Sequence, residues 1–116
     1  MTPDVLKKRT KEFGLRIIRL VESLPKTKTA SMIGNQLLRC GTSVGANYRS
    51  ACRGRSKAEF IAKLGIVEEE ADESAYWIEM LVEADIVKIG SVKQLHAEAD
   101  ELTSIMVKSR QTARRA

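Results

Sequence analysis

Apolar residues along the chain fall into four stretches at helical spacing, separated by short polar breaks. In the first, Leu6, Thr10, Phe13, Ile17, Leu20 and Leu24 recur at alternating four- and three-residue intervals, the seam of a helix facing other helices. Thr2 can cap this helix, Pro3 suits its first turn and Pro25 ends it, so the spacing predicts a helix over about 4–24. The second, over about 30–53 with Thr29 or Ser31 as cap, carries Ile33, Leu37, Cys40, Val44, Asn47 and Ala51 on one seam. Beside it runs another: Gly34, Leu38, Gly41, Gly45, Tyr48 and Cys52. Glycines inside a helix cost about 1 kcal/mol each against alanine, and close approach of another backbone is what usually compensates. Asn47 on the first seam needs a hydrogen-bond partner, as a core amide or as a register-setting group.

Gly54 and Arg55 make a tight turn, and Ser56-Lys57-Ala58-Glu59 has the form of a capping box. The third helix, about 57–87, has the core seam Phe60, Leu64, Val67, Ala71, Ser74, Ile78 and Leu81. Its opposite side holds Ala62, Ile66, Trp77, Met80 and Ala84, with Glu69 and Glu73 among them. After a break at Lys88-Ile89-Gly90, a second capping box at Ser91–Gln94 opens a helix over about 91–110. That helix packs through Val92, Leu95, Ala99, Leu102 and Met106 and frays into a basic tail over 108–116. Short connections force sequential helices antiparallel. The expected fold is all-α: one domain over 1–116, an antiparallel up-down-up-down four-helix bundle.

The third helix, like the second, carries two apolar faces, and a domain covers only one of them by itself. The expected covering surface is another copy of the chain, with Gly41, Gly45, Tyr48, Ile66, Glu69, Glu73, Trp77 and Met80 as interface positions. Arg39, Arg49 and Arg53 project away from the first seam of the second helix. Arg39 falls level with Glu70, and Arg49 with Glu59, so arginine–carboxylate pairing across the hairpin, or to a neighbouring subunit, is the expected role of these groups.

Charge adds a possible partner. Of 116 residues, 20 are Lys or Arg and 15 Asp or Glu. Residues 1–58 hold 13 basic against 3 acidic, and residues 59–116 hold 7 against 12. The basic surplus at Lys8, Lys11, Arg19, Lys26, Lys28, Arg55 and Lys57 suits RNA or DNA, through phosphate contacts with little sequence preference. The same charges also suit a surface that is simply solvated. Few aromatics are left for base stacking.

Catalytic chemistry finds no constellation. A di-iron bundle wants Glu-x-x-His on two helices, but the single His96 has Lys93 three residues before it. One histidine and two separated cysteines make no zinc site. No phosphate loop follows a strand, and no histidine stands at triad spacing from a serine. The expectation is no enzyme, no catalytic residue, no cofactor and no metal. Cys40 and Cys52, twelve apart on one helix, cannot pair with each other within it and suit a reducing cytoplasm. The N-terminus has no apolar signal core and no run is long enough to span a membrane.

The runs SVGANYRSACRGRS and AEFIAKLGIVEEEADESAYWIEML, within Gln36–Leu81, resemble the bacterial four-helix bundle proteins encoded in intervening sequences of 23S ribosomal RNA genes. The resemblance spans nearly the whole chain, and the central hairpin is its specific part. It implies a ring-shaped homopentamer without enzymatic activity. More distantly, the chain is similar to accessory variability proteins of diversity-generating retroelements, basic pentamers that bind nucleic acid and a reverse transcriptase. Matching positions are Ser43, Asn47, Phe60, Leu64, Glu69, Glu73 and Trp77.

Overall fold

Three side-chain caps set helix starts. Thr2 Oγ1 accepts from the Val5 N–H at 3.2 Å, Thr27 Oγ1 from Ala30 at 3.2 Å and Ser56 Oγ from Glu59 at 3.1 Å. In this computed structural model, which describes residues 1–116, the elements are α1 (Pro3–Glu22), α2 (Lys28–Cys52), α3 (Lys57–Glu83) and α4 (Ile89–Arg115). They form a four-helix bundle with extents of 47 × 20 × 19 Å. Each helix packs along its neighbour in sequence, whereas α1 and α4 meet over only a short stretch.

The helix ends depart from expectation for local reasons. The cap of α2 is Thr27, not Thr29 or Ser31. At Ser56 the box is half made: Glu59 Oε2 accepts from the Arg55 N–H at 3.4 Å rather than from Ser56. α3 stops at Glu83 because Asp85 takes the left-handed conformation, φ 58°. The Ile86 N–H then reaches back to the Leu81 carbonyl at 2.9 Å and the Asp85 N–H to Val82 at 3.0 Å, a Schellman closure. The Ser91–Gln94 box does not form; α4 begins at Ile89 with Lys88 at its cap and no side-chain bond there. Its basic tail stays helical to Arg115, with Arg110 held against Glu68 at 2.8 Å and Lys57 bonded to the Ala116 carbonyl.

The four predicted seams meet in one core. Phe13, Ile17, Leu37, Val44, Leu64, Val67, Ile78, Leu81, Leu102 and Met106 are all buried in it. Leu20, Leu24 and Phe60 close its ends partly exposed. Asn47 is part-buried, and its Nδ2 donates to the Ser43 carbonyl of its own helix at 2.9 Å, so it sets no register between helices.

The second seam of α2 is covered within the chain, which corrects the interface expected at Gly41, Gly45 and Tyr48. A Cβ at Gly45 would stand 3.1 Å from the Thr10 carbonyl oxygen, and Gly41 lies directly under Ile17, so the backbone approach these glycines permit is that of α1. Tyr48 is buried in the same core. The outer side of α3 stays uncovered: Ile66, Tyr76 and Met80 are exposed, with Trp77 half-buried beside them.

Candidate nucleic-acid interface

Close packing of α1 on α2 leaves a groove on the outer face of that pair. Small and aliphatic residues line it, among them Gly14, Leu15, Ile18, Gly45 and Ala46, and its volume is about 580 Å³. Lys7, Lys8 and Lys11 line it from α1, with Asp4 among them, and Arg49 from α2. A second concavity of about 480 Å³ shares Ala46 and Arg49 with the first and continues to Arg53 and Arg55 at the α2–α3 turn, where Glu59 is its one acid. The two form one continuous basic track.

Its cations differ from most other arginines of the bundle. Arg9 grips Glu98 at 2.7 Å and Glu101 at 3.0 Å, Arg19 lies 3.3 Å from Glu12, and Arg39 pairs with Glu70 and Glu73. Lys8, Lys11, Arg49, Arg53 and Arg55 have no carboxylate within ion-pair distance. Composition contributes to this: α2 carries no acidic residue at all, whereas α3 carries eight, and α3 lies diagonally across the bundle from α1.

The seven cations proposed from sequence do not form one surface. Arg55 and Lys57 sit at the α2–α3 turn with Lys8 and Lys11 in the same half of the bundle, while Lys26 and Lys28 sit at the α1–α2 turn, the opposite end of the long axis. Arg19 is tied to Glu12, and Lys57 to the C-terminal carbonyl. The up-down path converts the charge difference between sequence halves into a difference between ends. Residues 1–12, 44–69 and 102–116, which meet at the α2–α3 turn end, hold 13 of the 20 Lys and Arg.

On the α2–α3 face, Arg39 organises a polar network instead. Glu73 takes its guanidinium and also the Trp77 Nε1–H at 3.0 Å, and Gln36 Oε1 accepts from Arg39 at 3.2 Å. Glu69 is exposed and unpaired. The Arg49–Glu59 pair expected from register is not made.

Residues 4–108 match the family model of the 23S rRNA-intervening sequence protein. The chain belongs to that family. It is also similar, at 32% identity, to a solved protein of unknown function from the S23 ribosomal protein family of Bacteroides thetaiotaomicron VPI-5482. That likeness covers 96% of this chain and 99% of the other, with a TM-score of 0.88. No curated protein matches.

In this intervening-sequence family member, the groove brings in residues that sequence reading did not assign to nucleic acid: Arg49, Arg53 and the exposed Leu15. A signal for Leu15 exists, because Lys8, Lys11, Leu15 and Ile18 recur at three- and four-residue spacing on the side of α1 away from its core seam. Elsewhere the polar groups serve structure. Burial pushes the Cys40 thiol above its ordinary pKa, against the bond from Ser74 at 3.3 Å. Tyr48 is raised for the same reason, burial first, then its bond with Cys52. His96 lies on the surface of α4, 2.7 Å from Glu79. No group of three or more His, Cys, Asp and Glu is arranged to hold a metal ion, and no helix is long and apolar enough to cross a membrane.

Proposed function

We propose that the protein is a non-catalytic homo-oligomer that binds nucleic acid through its α1–α2 face with little sequence preference. The observation carrying this reading is the set of five cations, Lys8, Lys11, Arg49, Arg53 and Arg55, that make no ion pair along one continuous track whose lining also holds Lys7 and two acids, Asp4 and Glu59. Each phosphate that such a group neutralises releases counterions, whatever the base attached to it. Assembly uses a different face of the molecule: Ile66, Glu69, Glu73, Trp77 and Met80 on α3 form the subunit interface. A homopentamer, the state the family resemblance implies, repeats the basic face five times and raises avidity without any new contact. The setting is the cytoplasm, where the two free cysteines stay reduced.

The test is a titration of purified protein into labelled RNA and DNA across a range of salt. Five phosphate contacts per subunit predict a log–log slope of about −3.5 for single strands and about −4.5 for duplex. Absence of binding at low salt overturns the reading. A protein-binding scaffold then takes its place, favoured by the exposed Ile66, Tyr76 and Met80.

A further inference from the structure

The track is not uniformly polar. Leu15 is 41% exposed in the groove, and Ile18, Ala46 and the glycine backbone at 45 add to its apolar lining. Lys7, Lys8, Lys11 and Arg49 line the same groove, and Asp4 adds one negative charge among them. An apolar patch adjoining a row of cations matches a ligand that offers apolar surface and phosphates side by side. A duplex does not: its bases are stacked inside, and it presents sugar–phosphate ridges to a protein groove. An unpaired strand does, because its bases can turn out and lay their faces on a protein surface while the backbone meets cations.

We infer that the groove is a seat for single-stranded nucleic acid, with bases against Leu15 and Ile18 and phosphates on Lys8, Lys11 and Arg49. This rests on the nucleic-acid reading above and narrows it to one ligand form. The groove has no aromatic ring, and the hydroxyls of its two threonines donate to carbonyls of their own helices, Thr10 to Leu6 and Thr42 to Leu38. Contact with it therefore discriminates strand form rather than base identity. It also separates the roles of the residues: the cations serve any polyanion, while Leu15 serves only a strand whose bases are free.

The experiment compares four probes of one sequence, about 20 nucleotides long: single-stranded RNA, single-stranded DNA and the two matching duplexes, by fluorescence anisotropy on the whole protein at near-physiological salt. At least one single strand binds about tenfold more tightly than its duplex, and the two single-stranded arms tell RNA from DNA. Leu15→Ser weakens single-strand binding about 3- to 10-fold and leaves duplex binding within about twofold, whereas Lys8→Gln with Lys11→Gln weakens both. Circular dichroism checks that the variants keep their helices, and the comparison on the unsubstituted protein stands without them. Duplex binding equal to or tighter than single-strand binding, or an unchanged single-strand affinity of Leu15→Ser, overturns this inference but not the nucleic-acid reading. Failure of all four probes at low salt overturns both.

Discussion

Gly41 of α2 lies under Ile17 of α1 so closely that a Cβ at 41 would stand 2.7 Å from Ile17 Cγ1 and 2.8 Å from Cγ2. The atoms in the way include Ile17 Cβ at 3.0 Å, which is not a flexible side-chain end. Gly41→Ala therefore gains about 1 kcal/mol of helix propensity and meets an overpacking cost of about 1–3 kcal/mol. The expected result is a net loss of stability in urea unfolding. Gly34→Ala is the control, since its Cβ would meet only Val21 Cγ1 at 3.2 Å and Leu24 Cδ1 at 3.3 Å, ends that can yield. That variant should be neutral or more stable.

Arg9 closes the side of the bundle where α1 and α4 otherwise touch least. Its Nε and Nη2 donate to the two oxygens of Glu98, both at 2.7 Å, with side chains only 23% and 15% exposed. The Glu98 bond above all holds its pKa above the ordinary arginine value. Arg9→Gln should cost about 1–3 kcal/mol in denaturant unfolding, because it leaves a part-buried carboxylate without its partner. Arg19→Gln removes an exposed pair and should cost under about 0.5 kcal/mol. Equal losses for the two would contradict a clasp at Arg9.

Asp85 closes α3 at φ 58°, a conformation glycine adopts without a Cβ penalty. Asp85→Gly should raise stability by about 0.5–1 kcal/mol, read as an upward shift of the thermal midpoint. A fall would mean that the aspartate side chain contributes more than its backbone conformation costs.

The track and the far end of the bundle make different predictions for binding. The triple variant Lys8→Gln, Lys11→Gln, Arg49→Gln should reduce the magnitude of the log–log salt slope by about 2–3, one contact per lost cation. Lys26→Gln with Lys28→Gln, at the other end of the long axis, should leave the slope nearly unchanged. Equal effects would spread the binding over the whole surface and remove the track as its seat.

For assembly, Ile66→Glu and Met80→Glu are cleaner probes than Trp77→Glu. Ile66 and Met80 are 42% and 36% exposed, whereas Trp77 packs partly against the core and donates to Glu73, so its loss also touches the fold. Each substitution on the outer face of α3 should lower the mass seen by light scattering while the helical signal is kept. An unchanged mass removes that face from the interface.

Local chemistry made the bundle legible before its structure. Val92, Leu95, Ala99, Leu102 and Met106 need only their own spacing to be read as one face of one helix, and all five are buried. The Arg39–Glu70 pair was legible for a similar reason: the short Gly54–Ser56 turn sets how the two helices run past each other. The end of α4 was not, because Arg110 is held by Glu68, 42 residues earlier, and nothing local to Lys108–Arg115 announces that anchor.

The chain alone thus determined the four helices, their order, their inward faces and the excess of basic residues, since hydrophobic periodicity, caps and short turns act over a few residues. Only the tertiary structure decided which neighbour covers each second face. It gave the glycine seam of α2 to α1 and left that of α3 open. It likewise sorted the cations, tying Arg9, Arg19, Arg39 and Arg110 to carboxylates, sending Lys26 and Lys28 to one end and joining Lys8, Lys11, Arg49, Arg53 and Arg55 into a track. Pairing and covering depend on distances between segments far apart in sequence, and periodicity carries no information about those distances.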